Sequence, residues 1–140
     1  MPSLQQTKEQ ERAATAWDAV DRVSEDFKKQ YGTIVKKLPM LILTNGLGQA
    51  LAFLLAKGTP KKDKPPTKEN LAHMAAYDHL SAWVMSQMQP NSDLMEWVRT
   101  KSSTDYRRAT TEALAFLNWL TRFVEAAGLG AEEKAHAPEE

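Results

Sequence analysis

Hydrophobic positions along this chain recur at steps of three and four for most of its length. Ala13, Ala16, Trp17, Val20, Val23, Phe27 and Tyr31 trace one face of a long amphipathic helix from about Leu4 to Gln30, with charge on the other face. After a cap at Thr67, Leu71, Met74, Ala75, Tyr77, Leu80, Trp83 or Val84, and Met88 repeat the period up to Gln89, where Pro90 and Asn91 end it. A short helix from about Asp93 to Thr100 carries Leu94, Trp97 and Val98. Ser102 or Ser103 then caps a last long helix, striped by Ala109, Ala113, Leu117, Leu120 and Val124 and terminated at Gly128. No segment alternates with the period of a strand.

Between these elements lies an uncharged run, LPMLILTNGLGQALAFLLA, from Leu38 to Ala56, bounded by Lys37 and Lys57. Nineteen residues without charge are long enough to span a bilayer, but Pro39, Thr44, Asn45 and Gln49 interrupt the run, and no aromatic belt or second span accompanies it. It is expected instead to form a buried central helix wrapped by its neighbours. Gly32 should break the preceding pattern, Thr33 can cap the next turn, and Pro39 sets either a kink or a fresh start. Asn45, Gly46 and Gly48 either permit close packing inside the domain or shape a docking surface; internal packing is favoured, because a buried helix would enclose both glycines.

The fold expected is therefore all-α: a single helical-bundle domain of five or six helices over residues 1–128, followed by a disordered acidic tail over 129–140. The stretch GTPKKDKPP, from Gly58 to Pro66, reads as a solvated connector.

Charge refines this picture. The chain is formally neutral, with 18 basic and 18 acidic residues, which argues at first against a nucleic-acid binder. The distribution is uneven, however: between Asp26 and Asp63 there is no acidic residue, while Lys28, Lys29, Lys36, Lys37, Lys57, Lys61 and Lys62 all fall there. Setting aside Lys134 and the four tail glutamates leaves 17 basic and 14 acidic residues in positions 1–127, a net of +3. The absence of cysteine removes disulfides and thiolate chemistry, and the opening MPSLQQTKEQER lacks the apolar core of a signal peptide, so a cytoplasmic location is the default expectation.

Enzyme chemistry has little to stand on. His73 and His79 are six positions apart and turn to different helix faces, and His136 lies in the tail, so no metal or cofactor site is expected. Glu112 reads as a surface ion pair with Arg108 at i, i+4 spacing. NGLG lacks the lysine and hydroxyl of a phosphate-binding loop. The four tryptophans, Trp17, Trp83, Trp97 and Trp119, fall in apolar helical patterns and read as core, with Trp97 the best candidate for a subunit contact.

Three segments together carry a family resemblance: the start around Gln10, Arg12 and Ala13, the centre LPMLILTNGLGQALAFLLAK, and YRRATTEALAFLNWLTRF from Tyr106 to Phe123. In order and spacing they resemble the small helical subunit of type III-B (Cmr) CRISPR RNA-silencing complexes, from about Gln5 to Ala127. The resemblance implies a non-catalytic subunit that stacks with further copies of itself into a minor filament. That filament lies beside the guide-RNA-binding backbone, a basic face lines the target RNA, and other subunits perform cleavage. The matched basic positions are Arg12, Lys36, Lys37, Lys57, Arg107, Arg108 and Arg122, with Lys36, Lys37 and Lys57 the strongest RNA-contact candidates. The alternative is a purely structural helical adaptor that stacks with itself and its neighbours without touching RNA.

Overall fold

The computed structural model describes residues 4–129 of the chain. Six helices follow one another: α1 Leu4–Arg22, α2 Lys28–Asn45, α3 Leu47–Gly58, α4 Lys68–Met88, α5 Leu94–Thr100 and α6 Ser103–Ala126, with no strand among the described residues.

Three of the expected helices begin where local capping chemistry places them. The Thr67 hydroxyl accepts the N–H of Asn70, and the Asn70 side chain accepts the N–H of Thr67, a reciprocal capping box that starts α4. Asp93 accepts from Glu96 N–H at the start of α5, and Ser102 accepts from Asp105 N–H at the start of α6. Tyr77 on α4 fixes the entry to α5 by donating its hydroxyl to Asp93 (2.7 Å) while accepting Met95 N–H (3.0 Å).

The first half of the chain departs from expectation. α1 ends at Arg22 rather than near Gln30, because a turn whose Ser24 hydroxyl accepts Asp26 N–H separates it from α2. Gly32 does not break the pattern: it is buried inside α2, and Thr33 caps nothing, its hydroxyl donating instead to the Lys29 carbonyl. Pro39 lies within α2, which forgoes the bond that residue would have made to the Val35 carbonyl.

The uncharged run is not one helix. Gly46, at φ 94 and ψ 156, separates α2 from α3 in a region of backbone space that only glycine occupies readily. Nor is the run buried all round. Leu38, Ile42, Leu47, Ala50, Leu51 and Leu54 face the core, whereas Met40 and Leu43 are 66% and 68% exposed and Asn45 and Gln49 face outward. The expectation that a buried helix encloses both glycines therefore fails: Gly46 and Gly48 are only half-buried.

The core joins Leu51 and Leu54 of α3, Leu80 and Val84 of α4, and Phe116, Leu117 and Leu120 of α6, with Trp83 stacked on Phe116 at 5.7 Å between ring centroids. Trp97 is buried in this domain rather than presented as a subunit contact, with the Lys101 ammonium 6.0 Å from its ring centroid. Trp17 is the tryptophan left open, at 56% exposure. Leu129, expected to begin the tail, donates its N–H to the Val124 carbonyl and packs against the core; positions 130–140, where a disordered tail was expected, lie outside the described residues.

Candidate nucleic-acid interface

The seven basic positions singled out from sequence fall in four places. Lys37 on α2 faces the first turns of α4, where it shares a cavity with Lys29, Gln30, Thr33, Glu69 and His73. Lys57, in the last turn of α3, has its backbone beside the same region, since the Asn70 amide donates to the Lys57 carbonyl at 2.8 Å. Asn70 in turn lines an open groove with Lys61, Lys64, Pro65 and Thr67. Lys37 on one side and the connector lysines Lys61 and Lys64 on the other thus flank the N-terminal end of α4, against which the Lys57 backbone is held, and the helix dipole there adds positive potential. Lys36 is the half-buried neighbour of the exposed Lys37.

Arg107 and Arg108 project from the first turns of α6, next to the α2–α3 joint. Tyr106, immediately before them, accepts Gly48 N–H on its hydroxyl at 2.8 Å, which gives α3 a cap from outside its own segment. α3, about 18 Å long at 1.5 Å per residue, separates this pair from Lys57. Arg108 pairs with Asp105 at 3.4 Å, and Arg122, near the far end of α6, pairs with Glu125 at 3.3 Å.

Arg12 stands apart. Its guanidinium is 14% exposed and gives two hydrogen bonds, of 2.6 and 3.0 Å, to Glu112, whose side chain is 5% exposed. Glu112 also accepts Trp83 Nε1–H at 2.7 Å and lies 3.3 Å from the Lys8 ammonium. Burial pushes the Glu112 carboxyl up, but the bonds from Arg12 and Trp83 and the charges of Arg12 and Lys8 outweigh it and hold the group at about 2. The hydrogen bond to Glu112 raises the Arg12 guanidinium despite its partial burial. The expected surface pair between Glu112 and Arg108 is therefore replaced by a buried one: Glu112 turns inward to the α1–α4–α6 seam, and Arg108 uses Asp105 instead. Spacing within one helix could not reveal a partner 100 positions away.

The histidines point apart, as their spacing implied. His73 donates Nδ1–H to the Glu69 carbonyl and packs edge-on against Phe53, whereas His79 Nδ1 lies 2.7 Å from the Tyr31 hydroxyl, and burial lowers its affinity for a proton. Among the described residues no three histidine or carboxylate side chains gather where they could hold a metal ion, and no helix is long and apolar enough to cross a membrane.

Comparison with known proteins agrees with this architecture. The family model described as CRISPR-associated protein (Cas_Cmr5) matches residues 8–127. A Thermus thermophilus protein, the CRISPR system Cmr subunit Cmr5, is 30% identical over 121 residues, covering 86% of this chain and 95% of that one. The X-ray crystal structure of a CRISPR-associated Cmr5 family protein from Thermus thermophilus superposes with a TM-score of 0.66 at 28% identity, covering 84% of this chain and 95% of its own. With the match running through all six helices, this chain belongs to the Cmr5 family of CRISPR-associated proteins.

Proposed function

We propose that this chain is a non-catalytic subunit of a type III-B (Cmr) CRISPR RNA-silencing complex. In this reading it stacks with further copies of itself and holds target RNA, paired to the guide, through phosphate contacts. One observation carries the RNA part. Residues 28–68 hold nine lysines and a single acidic residue, Asp63, in a chain that is neutral overall. The connector brings Lys61 and Lys64 back to the start of α4, beside Lys57 and across from Lys37. Such a lysine cluster suits phosphates, which carry no sequence information, and leaves sequence choice to base pairing with the guide.

The adaptor reading draws on a different fact: Arg12, Arg108 and Arg122 are each engaged by a carboxylate. The two readings part in one experiment. Lys37→Glu with Lys57→Glu, built into the reconstituted complex, weakens retention of every target RNA alike if the lysines hold phosphates. A loss confined to particular sequences, or no loss, rejects the RNA role and leaves the adaptor.

A further inference from the structure

The neutrality of this chain is the sum of two charged parts. Positions 130–140, GAEEKAHAPEE, hold Glu132, Glu133, Glu139 and Glu140 against Lys134, a net of −3 that cancels the +3 of the rest. Their apolar content is three alanines and one proline, too little for burial to hold them, so any attraction they feel is electrostatic.

The point from which this segment departs is defined. Leu129 N–H donates to the Val124 carbonyl at 3.0 Å, and Ala126 and Ala127, at the end of α6, share a cleft with Lys28, the first residue of α2. The segment therefore leaves the domain beside the start of the helix that carries Lys28, Lys29, Lys36 and Lys37 and no acidic residue. Lys28 pairs with Glu25 at 3.1 Å, and Asp21 lines the same cleft. Further along, Lys29, Lys36 and Lys37 lie on one side of α2, within about 100° of one another at 3.6 residues per turn. Glu69 of α4 lines the cavity that Lys29 and Lys37 share and offsets one of these charges.

Reach is sufficient. Lys37 lies about 14 Å beyond Lys28 along the helix axis, whereas positions 130–140 span about 36 Å fully extended and about 18 Å as a relaxed chain. Tethering holds the four glutamates near these lysines at roughly millimolar effective concentration, which populates a contact too weak to form between separate molecules.

We propose that residues 130–140 fold back over the lysine-bearing side of α2 and compete there with RNA phosphates, so that RNA is held only by displacing the chain's own carboxylates. The contact regulates the lysine site proposed above and rests on that reading. A short stray strand, with few phosphates to offer, displaces the segment poorly, whereas a long target displaces it.

The chain has no cysteine, so Ala137→Cys provides a single attachment point for a nitroxide spin label. At low salt the label on the full chain should broaden the amide signals of residues 29–37 and spare those of α5, and about 0.5 M salt should abolish the effect. Binding of single-stranded polyuridine is then compared between the full chain, a chain ending at Leu129, and a chain with all four of these glutamates changed to glutamine. A segment docked about nine-tenths of the time lowers apparent affinity about tenfold, so both altered chains should bind about tenfold more tightly at low salt and equally at high salt. Lys29→Gln with Lys37→Gln should weaken binding and erase that gap. Broadening that is absent, lies elsewhere, or transfers to unlabelled molecules mixed with labelled ones overturns the fold-back, whatever RNA does. Broadening on α2 with equal RNA affinity in all three chains overturns the competition and leaves the RNA reading intact. If none of the three binds RNA, the RNA reading and the competition fall together.

Discussion

Arg12 and Glu112, 100 positions apart in sequence, form a two-pronged ion pair that ties the first helix to the last, with the Trp83 indole N–H donating to the same carboxylate. A pair this enclosed makes little net contribution against two well-packed apolar residues, yet removing Arg12 leaves the buried Glu112 carboxylate with only the more exposed Lys8 as a counter-charge. Arg12→Ala should therefore destabilise the fold by on the order of 3 kcal/mol, while Arg12→Met with Glu112→Leu recovers much of the loss. Urea melts of the single and double variants check this. A cost for Arg12→Ala within about 0.5 kcal/mol, the range of ordinary surface changes, would contradict it.

The same carboxylate sets the acid response. Its proton affinity is depressed in the folded chain, from an ordinary 4.5 to about 2, so the stability it contributes is complete above about 4.5 and is lost as pH falls towards 2. His79 acts at higher pH. Burial holds it neutral, so the unfolded chain takes up a proton first and stability begins to decline once pH drops below about 6.5. Asp78, raised by burial and by Asp93, opposes the acid loss weakly. Melting temperature plotted against pH should fall in two stages. His79→Gln should remove the upper stage and Glu112→Gln the lower; a curve unchanged by either substitution would reject the assignment.

Gly46 and Gly48 make a sharper pair. At Gly46 the backbone demands glycine, and a Cβ there would also meet the Tyr106 hydroxyl at 3.3 Å; Gly46→Ala should cost about 1–3 kcal/mol. Gly48 lies inside α3, where a Cβ would stand at an ordinary 3.5 Å from the same hydroxyl, so Gly48→Ala should be neutral or stabilising by up to about 1 kcal/mol. Thermal melts that rank the two variants the other way would overturn this account. A larger residue at Gly46 is thus expected to destabilise through backbone strain at the joint, not through overpacking of a buried core.

RNA retention offers the functional counterpart. Each lysine that neutralises a phosphate adds about one unit to the salt dependence of binding, and somewhat less for single strands. Removing the charges of Lys37, Lys57 and Lys64 by glutamine should flatten the plot of log affinity against log salt for the assembled complex. Reduced affinity at an unchanged slope would mean that these side chains support the fold or the assembly instead.

What could be read from sequence divides along physical lines. α4, α5 and α6 were legible because Thr67, Asp93 and Ser102 announce helix starts through bonds to residues three positions on. The region around Gly46 was misread because periodicity reports which residues are apolar, not the sign of φ. The dipeptide Asn45–Gly46 is itself a turn signal, and it could have divided the run. Of the candidate site, the lysine excess was visible in composition, but its convergence on α4 depends on where the connector returns. The role of Glu112 was hidden altogether, since the partner that claims it comes from the opposite end of the chain.

The pairing of α1 with α6 also bears on how the protein is made. Arg12, Glu9 and Trp17 all reach for residues between Glu112 and Phe123, so α1 finds its main partners about 100 residues further along the chain. At typical elongation rates of 5–20 residues per second, roughly 5–20 s separate the two. For that interval the apolar stripe of α1 lacks its α6 partner on the nascent chain, and emergence of α6, rather than of the first helix, sets the moment at which the domain closes.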